Sequence, residues 1–296
     1  MAGQTGLREK AKPRSLKRRL GILGAAGLVL ATTTGCTANE IFFIGLPEPA
    51  TEEATITQGL WEGTWTAAWP VGILVWGLML VCIFVYARKR RPEVPEQTEY
   101  NLPIETLYTI APLVMILGLF WVTAGDQSDI LTVEGDQDQT VNVVGFRWSW
   151  AFNYVDEDVF EIGEPFEYEN ADGEIAQDQN SAPTLWLPVN NKVRFELTSP
   201  DVIHSFWVPQ WLFKMDVIPG KLNQFEVTPD KTGLFLGKCA ELCGVDHSRM
   251  LFNVNVVTQE EYDAHIAELR AKGQTGQLET GRVGLSGEPN VDGRVL

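Results

Sequence analysis

Charged side chains vanish from the chain between Gly63 and Ala87, and again between Thr106 and Gly125. These gaps of 25 and 20 residues each reach the roughly 20 apolar residues that a helix needs to cross a bilayer core. Trp65, Trp69, Tyr86, Tyr108 and Trp121 lie toward their ends, where interfacial aromatics belong. Pro70 and Pro112 fall inside them, which a membrane-spanning helix tolerates. The intervening stretch contains Arg88, Lys89, Arg90 and Arg91, a basic cluster that marks a cytoplasmic loop. The pattern therefore predicts a hairpin that enters from outside, turns inside and leaves again, with everything after residue 126 outside. An earlier apolar run, Leu20 to Gly35, follows Lys10, Lys12, Arg14, Lys17, Arg18 and Arg19 and stops at Cys36, which is the layout of a secretory signal.

Beyond residue 126 the period changes. In "TVNVVGFRWSWAFNYV", Phe146, Trp148, Trp150, Phe152 and Tyr154 share one parity, which predicts a strand with one aromatic face. Shorter strand-like runs follow at 184–189, 192–199, 223–229, 232–239 and 251–258, separated by turn formers such as Pro200–Asp201 and Pro219–Gly220. Many short strands at close spacing predict an all-β sandwich or barrel. The acidic stretch 156–183 reads as a long surface loop or hairpin. Thr258 and Glu261 form a capping box for a last helix, 259–271, and from Lys272 a loose tail is expected.

Charge adds one constraint. The chain carries a net charge of −16, with 29 acidic against 12 basic residues after position 125. Such a surface repels nucleic-acid phosphates and suits a basic partner protein.

The densest chemistry is "KCAELCGVDHSRM" at 238–250. Cys239, Cys243, His247 and Met250 ride one loop between two strands. Thiolate, thioether and imidazole together favour copper. Zinc would want another cysteine or histidine in place of methionine. In an oxidising compartment a Cys239–Cys243 disulfide is the competing reading, although it leaves His247 and Met250 unexplained. One cysteine would suggest mononuclear blue copper, whereas two thiolates can bridge a pair of ions. Each ion would then need a histidine. The chain has only three, and His265 lies on the terminal helix, which leaves His204 in "DVIHSFWVP". Cys82 lies inside the first span and reads as an apolar filler.

The segments "KCAELCGVDHSRM", "DVIHSFWVP" and "DVIPGKLNQFEV", together with the hairpin before them, resemble the cytochrome c oxidase subunit II family. The resemblance implies a two-helix transmembrane hairpin followed by an all-β cupredoxin-like Greek-key domain with a dinuclear copper (Cu-A) centre. By position, Cys239 and Cys243 would bridge two coppers and His204 and His247 would each cap one. Met250 and the Glu241 carbonyl would be weak ligands, and the Glu241 side chain would reach a shared Mg2+ at the subunit I interface. Trp148 matches the tryptophan through which electrons enter. Asp201 resembles an acidic docking residue, although a turn-forming aspartate fits there too. Glu105 resembles the glutamate at the mouth of a proton channel, although a carboxylate at a helix N-terminus also suits the dipole. Cys36 resembles a lipidated cysteine, with Thr33 where that signal usually has leucine.

The implied partners are oxidase subunits I and III, membrane lipid, and a c-type cytochrome with a basic docking face, either separate or part of a bc complex. No Cys-x-x-Cys-His haem motif follows the copper segment. The implied location is the bacterial plasma membrane, with the copper domain on the extracytoplasmic side. The expected layout is a signal at 1–35, an outer segment at 36–62, spans at 63–87 and 105–125 around a loop at 88–104, the copper domain at 126–258, the helix at 259–271 and the tail at 272–296. A membrane-tethered copper carrier, or another Cu-A electron-transfer protein, is the alternative. A nitrous-oxide reductase would need a propeller domain, and a quinol-oxidising relative would lack the ligands.

Overall fold

The computed structural model describes residues 43–163 and 182–278, with breaks at 88, 91, 92 and 95, together with residues 21 and 24. The signal, Cys36, most of the 156–183 stretch and residues 279–296 lie outside the described residues. The chain divides into two compact units, Met1–Gly45 and Leu46–Leu296. The two long helices, the strands and the terminal helix all belong to the second unit.

Helix α1, Glu52–Val85, begins well before the apolar gap. Thr51 accepts a hydrogen bond from the Ala54 amide, and Glu52 and Glu53 occupy the first turn, where carboxylates complement the helix dipole. The outer segment expected at 36–62 is therefore helical from residue 52. At about 1.5 Å per residue, 34 residues span about 50 Å, well beyond a hydrocarbon core of about 30 Å. Helix α2, Leu102–Leu131, runs past the expected boundary at 125. Both helices are long and apolar enough to cross a membrane, and their apolar windows are not packed inside the protein.

The remainder is a β-sandwich. Strands β1 Gln139–Phe146, β2 Ser149–Tyr154, β3 Val159–Ile162, β5 Val193–Thr198 and β8 Asn223–Val227 form one sheet in the order β3-β2-β1-β5-β8. Strands β4 Thr184–Pro188, β6 His204–Val208, β7 Phe213–Val217, β9 Gly233–Cys239 and β10 Leu251–Val257 form the other, in the order β4-β10-β9-β6-β7. Between them lies an aromatic core. Phe206 stacks on Phe252 at 4.6 Å, Phe195 stacks on Phe225 at 5.0 Å, and Trp150 meets Phe252 edge-on at 5.1 Å. Helix α3, Gln259–Ala271, starts at the Thr258–Glu261 capping box and buries Tyr262, Ile266 and Leu269.

Three features depart from the sequence reading. The aromatic stretch 140–155 is a hairpin, not one strand: Arg147 and Trp148 form its turn, and Phe146 pairs with Ser149. Residues opposite each other share a face, so Phe146 lies with Val144 and Ala151 on the outer side while Trp150 and Phe152 join the main core. Within the acidic stretch, Val159–Ile162 is a strand paired with β2, and Val159 is buried. The start of the tail is not loose. Gln274 accepts from the Phe160 amide, Thr275 bridges to Val159, and Leu278 is held by Asn153 and packs on the Val144 cluster.

The residues before α1 belong to the sandwich. The Ala50 amide donates to the Gln210 carbonyl at 3.0 Å, the Asp230 amide donates to the Ala50 carbonyl at 3.3 Å, and the Glu52 amide donates to Thr228 at 3.1 Å. Ala50, Thr51 and Ala54 are buried.

Glu226 on β8 anchors the end of α2's connection. Its carboxylate accepts from Arg194 Nη2 at 2.9 Å and from the Glu134 amide at 3.1 Å. Burial opposes its ionisation, but the Glu134 amide, the Arg194 guanidinium and the Gly135 amide outweigh that and hold its carboxyl below the usual range. The folded-state pKa thus lies below the unfolded value of about 4.3. The resulting stability is present above that value and is lost as the pH falls through the folded one. We expect Glu226→Gln to lower the urea midpoint at neutral pH by an amount equivalent to about 1–3 kcal/mol. Wild type and variant should converge as the pH falls below about 4. A gap that stays constant with pH would refute this account.

Candidate metal centre

Two pieces of the second sheet bring the candidate ligands together. His204 opens β6 and Cys239 closes β9. The two strands are paired at Phe206 and Cys239, and the Ala240 amide donates to the Ser205 carbonyl at 3.0 Å. The loop after Cys239 is tied at its base by the Cys239 amide on the Met250 carbonyl, 3.0 Å. Inside it, a 3-10 turn at His247–Arg249 forms, with the His247 amide on the Gly244 carbonyl. Gly244 has φ +129, a conformation that favours glycine, and a Cβ there would sit 3.0 Å from the Trp148 ring.

The side chains converge. Cys239 Sγ and Cys243 Sγ are 3.9 Å apart, far beyond a disulfide bond of about 2.0 Å, and both cysteines are free and buried. His204 Nδ1 lies 3.9 Å from Cys239 Sγ, and His247 Nδ1 lies 3.5 Å from Cys243 Sγ. Met250 Sδ is 3.7 Å from Cys243 Sγ, and the Glu241 carbonyl is 3.2 Å from Cys239 Sγ. Each sulfur therefore has the other sulfur, one imidazole nitrogen and one weak donor around it. His204, Cys239 and Cys243 offer ligand atoms within 4.8 Å of one another. The Glu241 side chain is exposed.

The electrostatics favour a cation. Burial disfavours the Cys239 thiolate, but the His204 ring and the backbone at Glu241 and Ser205 outweigh it, so this thiol is lowered. Burial and the neighbouring Cys239 push Cys243 up to about 12. Two adjacent buried thiolates thus need positive charge between them, which a soft metal ion supplies.

Around this set lie residues the sequence had marked for other roles. Asp201 is turned inward: Oδ1 meets His204 Nε2 at 2.9 Å and the Val202 amide at 2.6 Å. Its other oxygen accepts from the Arg147 amide at 2.8 Å and from Arg147 Nε at 3.2 Å. With these bonds made it orients His204 and braces its turn. Burial works against its charge, but the His204 ring and the Val202 and Arg147 amides hold its carboxyl far below the usual range. Trp148 donates from Nε1 to the Cys243 carbonyl at 3.2 Å and covers Gly244. Glu105 lies apart, on the first turn of α2, where Oε1 accepts from the Asn101 amide at 2.7 Å; this is the capping arrangement. His265 stacks on Trp186 and meets Glu161, away from the ligand set. Sequence reasoning overlooked Arg147, because its partner is 54 positions away.

The family model described as cytochrome c oxidase subunit II, periplasmic domain, matches residues 139–257. A probable cytochrome c oxidase subunit 2 of Streptomyces coelicolor is 50% identical over 307 residues, covering 95% of this chain and 96% of its own length. The cytochrome c oxidase subunit 2 of Mycobacterium tuberculosis is 32% identical over 305 residues, covering 87% of this chain and 83% of its own. Among solved structures, the periplasmic domain of subunit II of cytochrome oxidase from Bradyrhizobium japonicum is 30% identical. It covers 47% of this chain and 99% of its own, with a TM-score of 0.41. The near-full-length identity to the Streptomyces protein, over both the apolar hairpin and the sandwich, places the chain in the cytochrome c oxidase subunit II family.

Proposed function

We propose that this chain holds a dinuclear Cu-A centre and passes single electrons from a c-type cytochrome toward haem in oxidase subunit I. The observation that carries this reading is the pair of unbonded, buried sulfurs 3.9 Å apart, each flanked by its own imidazole nitrogen. In this reading Cys239 and Cys243 bridge, His204 and His247 cap, and Met250 and the Glu241 carbonyl bind weakly. Bound copper would supply one-electron redox chemistry. The protein's part is rigidity: ligands fixed by strand ends, a tied loop and outer hydrogen bonds need not move when the charge changes.

Trp148 spans from the partly exposed surface to the Cys243 carbonyl, which gives an incoming electron a short route to a bridging sulfur. The acidic surface would steer a basic donor. The exposed Glu241 carboxylate would take a Mg2+ shared with subunit I, and Glu105 would receive protons at the inner end of α2. The basic cluster after α1 supports a reading in which that loop faces the cytoplasm of a bacterium and the sandwich lies on the outer side of its plasma membrane. Cys36 would carry lipid.

The test is to load the detergent-solubilised full chain with copper, measure copper per chain and record its EPR spectrum, then follow its reduction by a c-type cytochrome. Two coppers sharing one unpaired electron are expected. Trp148→Phe should slow the reduction without changing the spectrum, and added salt should slow it in both proteins. One copper with a mononuclear signal, or a Cys239–Cys243 disulfide with no bound copper, would overturn the proposal in favour of a carrier.

A further inference from the structure

The two-residue turn between β1 and β2 touches both ligand-bearing segments. Trp148 reaches Cys243 in the loop. Arg147 reaches Asp201, which in turn holds His204. We infer that Arg147 is a positioning residue that sets the electron-donor strength of His204 by sharing the Asp201 carboxylate. This rests on the dicopper reading above and deepens it.

The argument is one of competition for a single carboxylate. His204 is fully buried and presents Nδ1 toward Cys239, so its Nε2–H is the group that meets Asp201 Oδ1. An imidazole whose distal N–H is bonded to a carboxylate becomes a better metal donor, and the more basic the carboxylate, the stronger the effect. Asp201 is not free to act alone, because Arg147 Nε sits 3.2 Å from Oδ2. A guanidinium there withdraws charge from the carboxylate and so moderates its pull on the imidazole proton.

The geometry separates this charge effect from simple support. The Arg147 backbone amide already bonds the same oxygen at 2.8 Å. The Val202 amide at 2.6 Å holds the other oxygen. Both amide contacts survive replacement of the Arg147 side chain by methionine or lysine. With one backbone amide on each oxygen, Asp201 therefore stays in place without the guanidinium, and what changes is its basicity. The Arg147 side chain is 50% exposed against 19% for Asp201, so solvent screens part of the effect but leaves the side chain replaceable without opening a cavity.

Removing the guanidinium makes Asp201 more basic and His204 a stronger donor, which stabilises the oxidised site. Loss of a nearby positive charge acts in the same direction. The midpoint potential should therefore fall.

The experiment uses the detergent-solubilised full chain loaded with copper and four variants: Arg147→Met, Arg147→Lys, Asp201→Asn and the double variant. Copper per chain, the EPR spectrum and the midpoint potential are measured for each. Arg147→Met should retain the wild-type copper content and show a lower potential. Arg147→Lys should recover most of the shift, and Asp201→Asn should raise the potential. In the Asp201→Asn background, Arg147→Met should lower the potential by clearly less than in wild type, because only the direct loss of charge remains, the non-additivity expected of residues acting through one another. An unchanged potential in Arg147→Met, or an equal fall with and without Asp201, would overturn the inference. So would loss of copper from Arg147→Met with normal loading of Arg147→Lys, because the side chain would then be a structural clamp. A wild-type chain without the two-copper signal would instead sink the dicopper reading itself.

Discussion

Cys243→Ser is expected to leave the sandwich folded and to abolish the two-copper signal, reducing electron uptake from a c-type cytochrome to the background of the copper-free chain. Cys243 is the hub of the ligand set. Its sulfur is 3.9 Å from Cys239, 3.5 Å from the His247 ring and 3.7 Å from Met250. Serine keeps the size within one atom but offers a hard hydroxyl that stays protonated, so it cannot bridge soft ions as a thiolate does. In the dicopper reading, His247 and Met250 would then lose the ion they share with that position. Cys239 and His204 remain, which is enough for at most a mononuclear site. Copper analysis with EPR on the full chain checks this. A Cys243→Ser protein that kept two coppers sharing one electron would disprove the bridging role.

The second large effect is expected away from the ligands. Trp150→Ala should cost about 3–5 kcal/mol of unfolding free energy, the range for deleting a large buried aromatic, and should loosen copper binding as well. Trp150 is fully buried opposite Gly145. It packs edge-on against Phe252 at 5.1 Å, Phe206 at 5.7 Å and the His204 ring at 6.2 Å. Its indole N–H points to the Met250 carbonyl at 3.4 Å, the same carbonyl that closes the loop onto Cys239. The cavity would thus open directly behind two candidate ligands. Trp150→Phe, which keeps most of the ring contact, should cost less than half as much. Chemical denaturation of the copper-free chain measures both, and an alanine variant less than about 1 kcal/mol weaker would refute the packing account.

Much of the architecture is legible in the chain itself. The spanning helices announce themselves because lipid excludes charge, and Gly63–Ala87 and Thr106–Gly125 carry none. The loop from Cys239 to Met250 is legible because its four soft side chains are local in sequence. What could not be read depends on distant pairing. The alternation Phe146, Trp148, Trp150 runs unbroken through a hairpin turn, so parity alone puts Phe146 on the wrong face. Arg147 gave no sign of its role because its partner Asp201, 54 positions on, becomes a neighbour only when the β1–β2 turn meets the turn before β6. The anchoring of Leu278 on Asn153, 125 positions away, leaves no periodic trace at all.

The contacts of Ala50 and Thr51 also bear on where the folded domain begins. Thr51 bridges to Pro229, Ala50 exchanges hydrogen bonds with Gln210 and Asp230, and the Thr228 amide is received by the Glu53 carboxylate at 3.0 Å. The sandwich is closed by residues just before α1 and in its first turn, translated ahead of both apolar spans, across a loop of about 180 positions whose ends must meet against chain entropy. The second transmembrane helix is therefore not a tether on a finished globule. It lies inside the circuit that completes the fold, and a fragment cut at residue 126 is a sandwich with one seam left open.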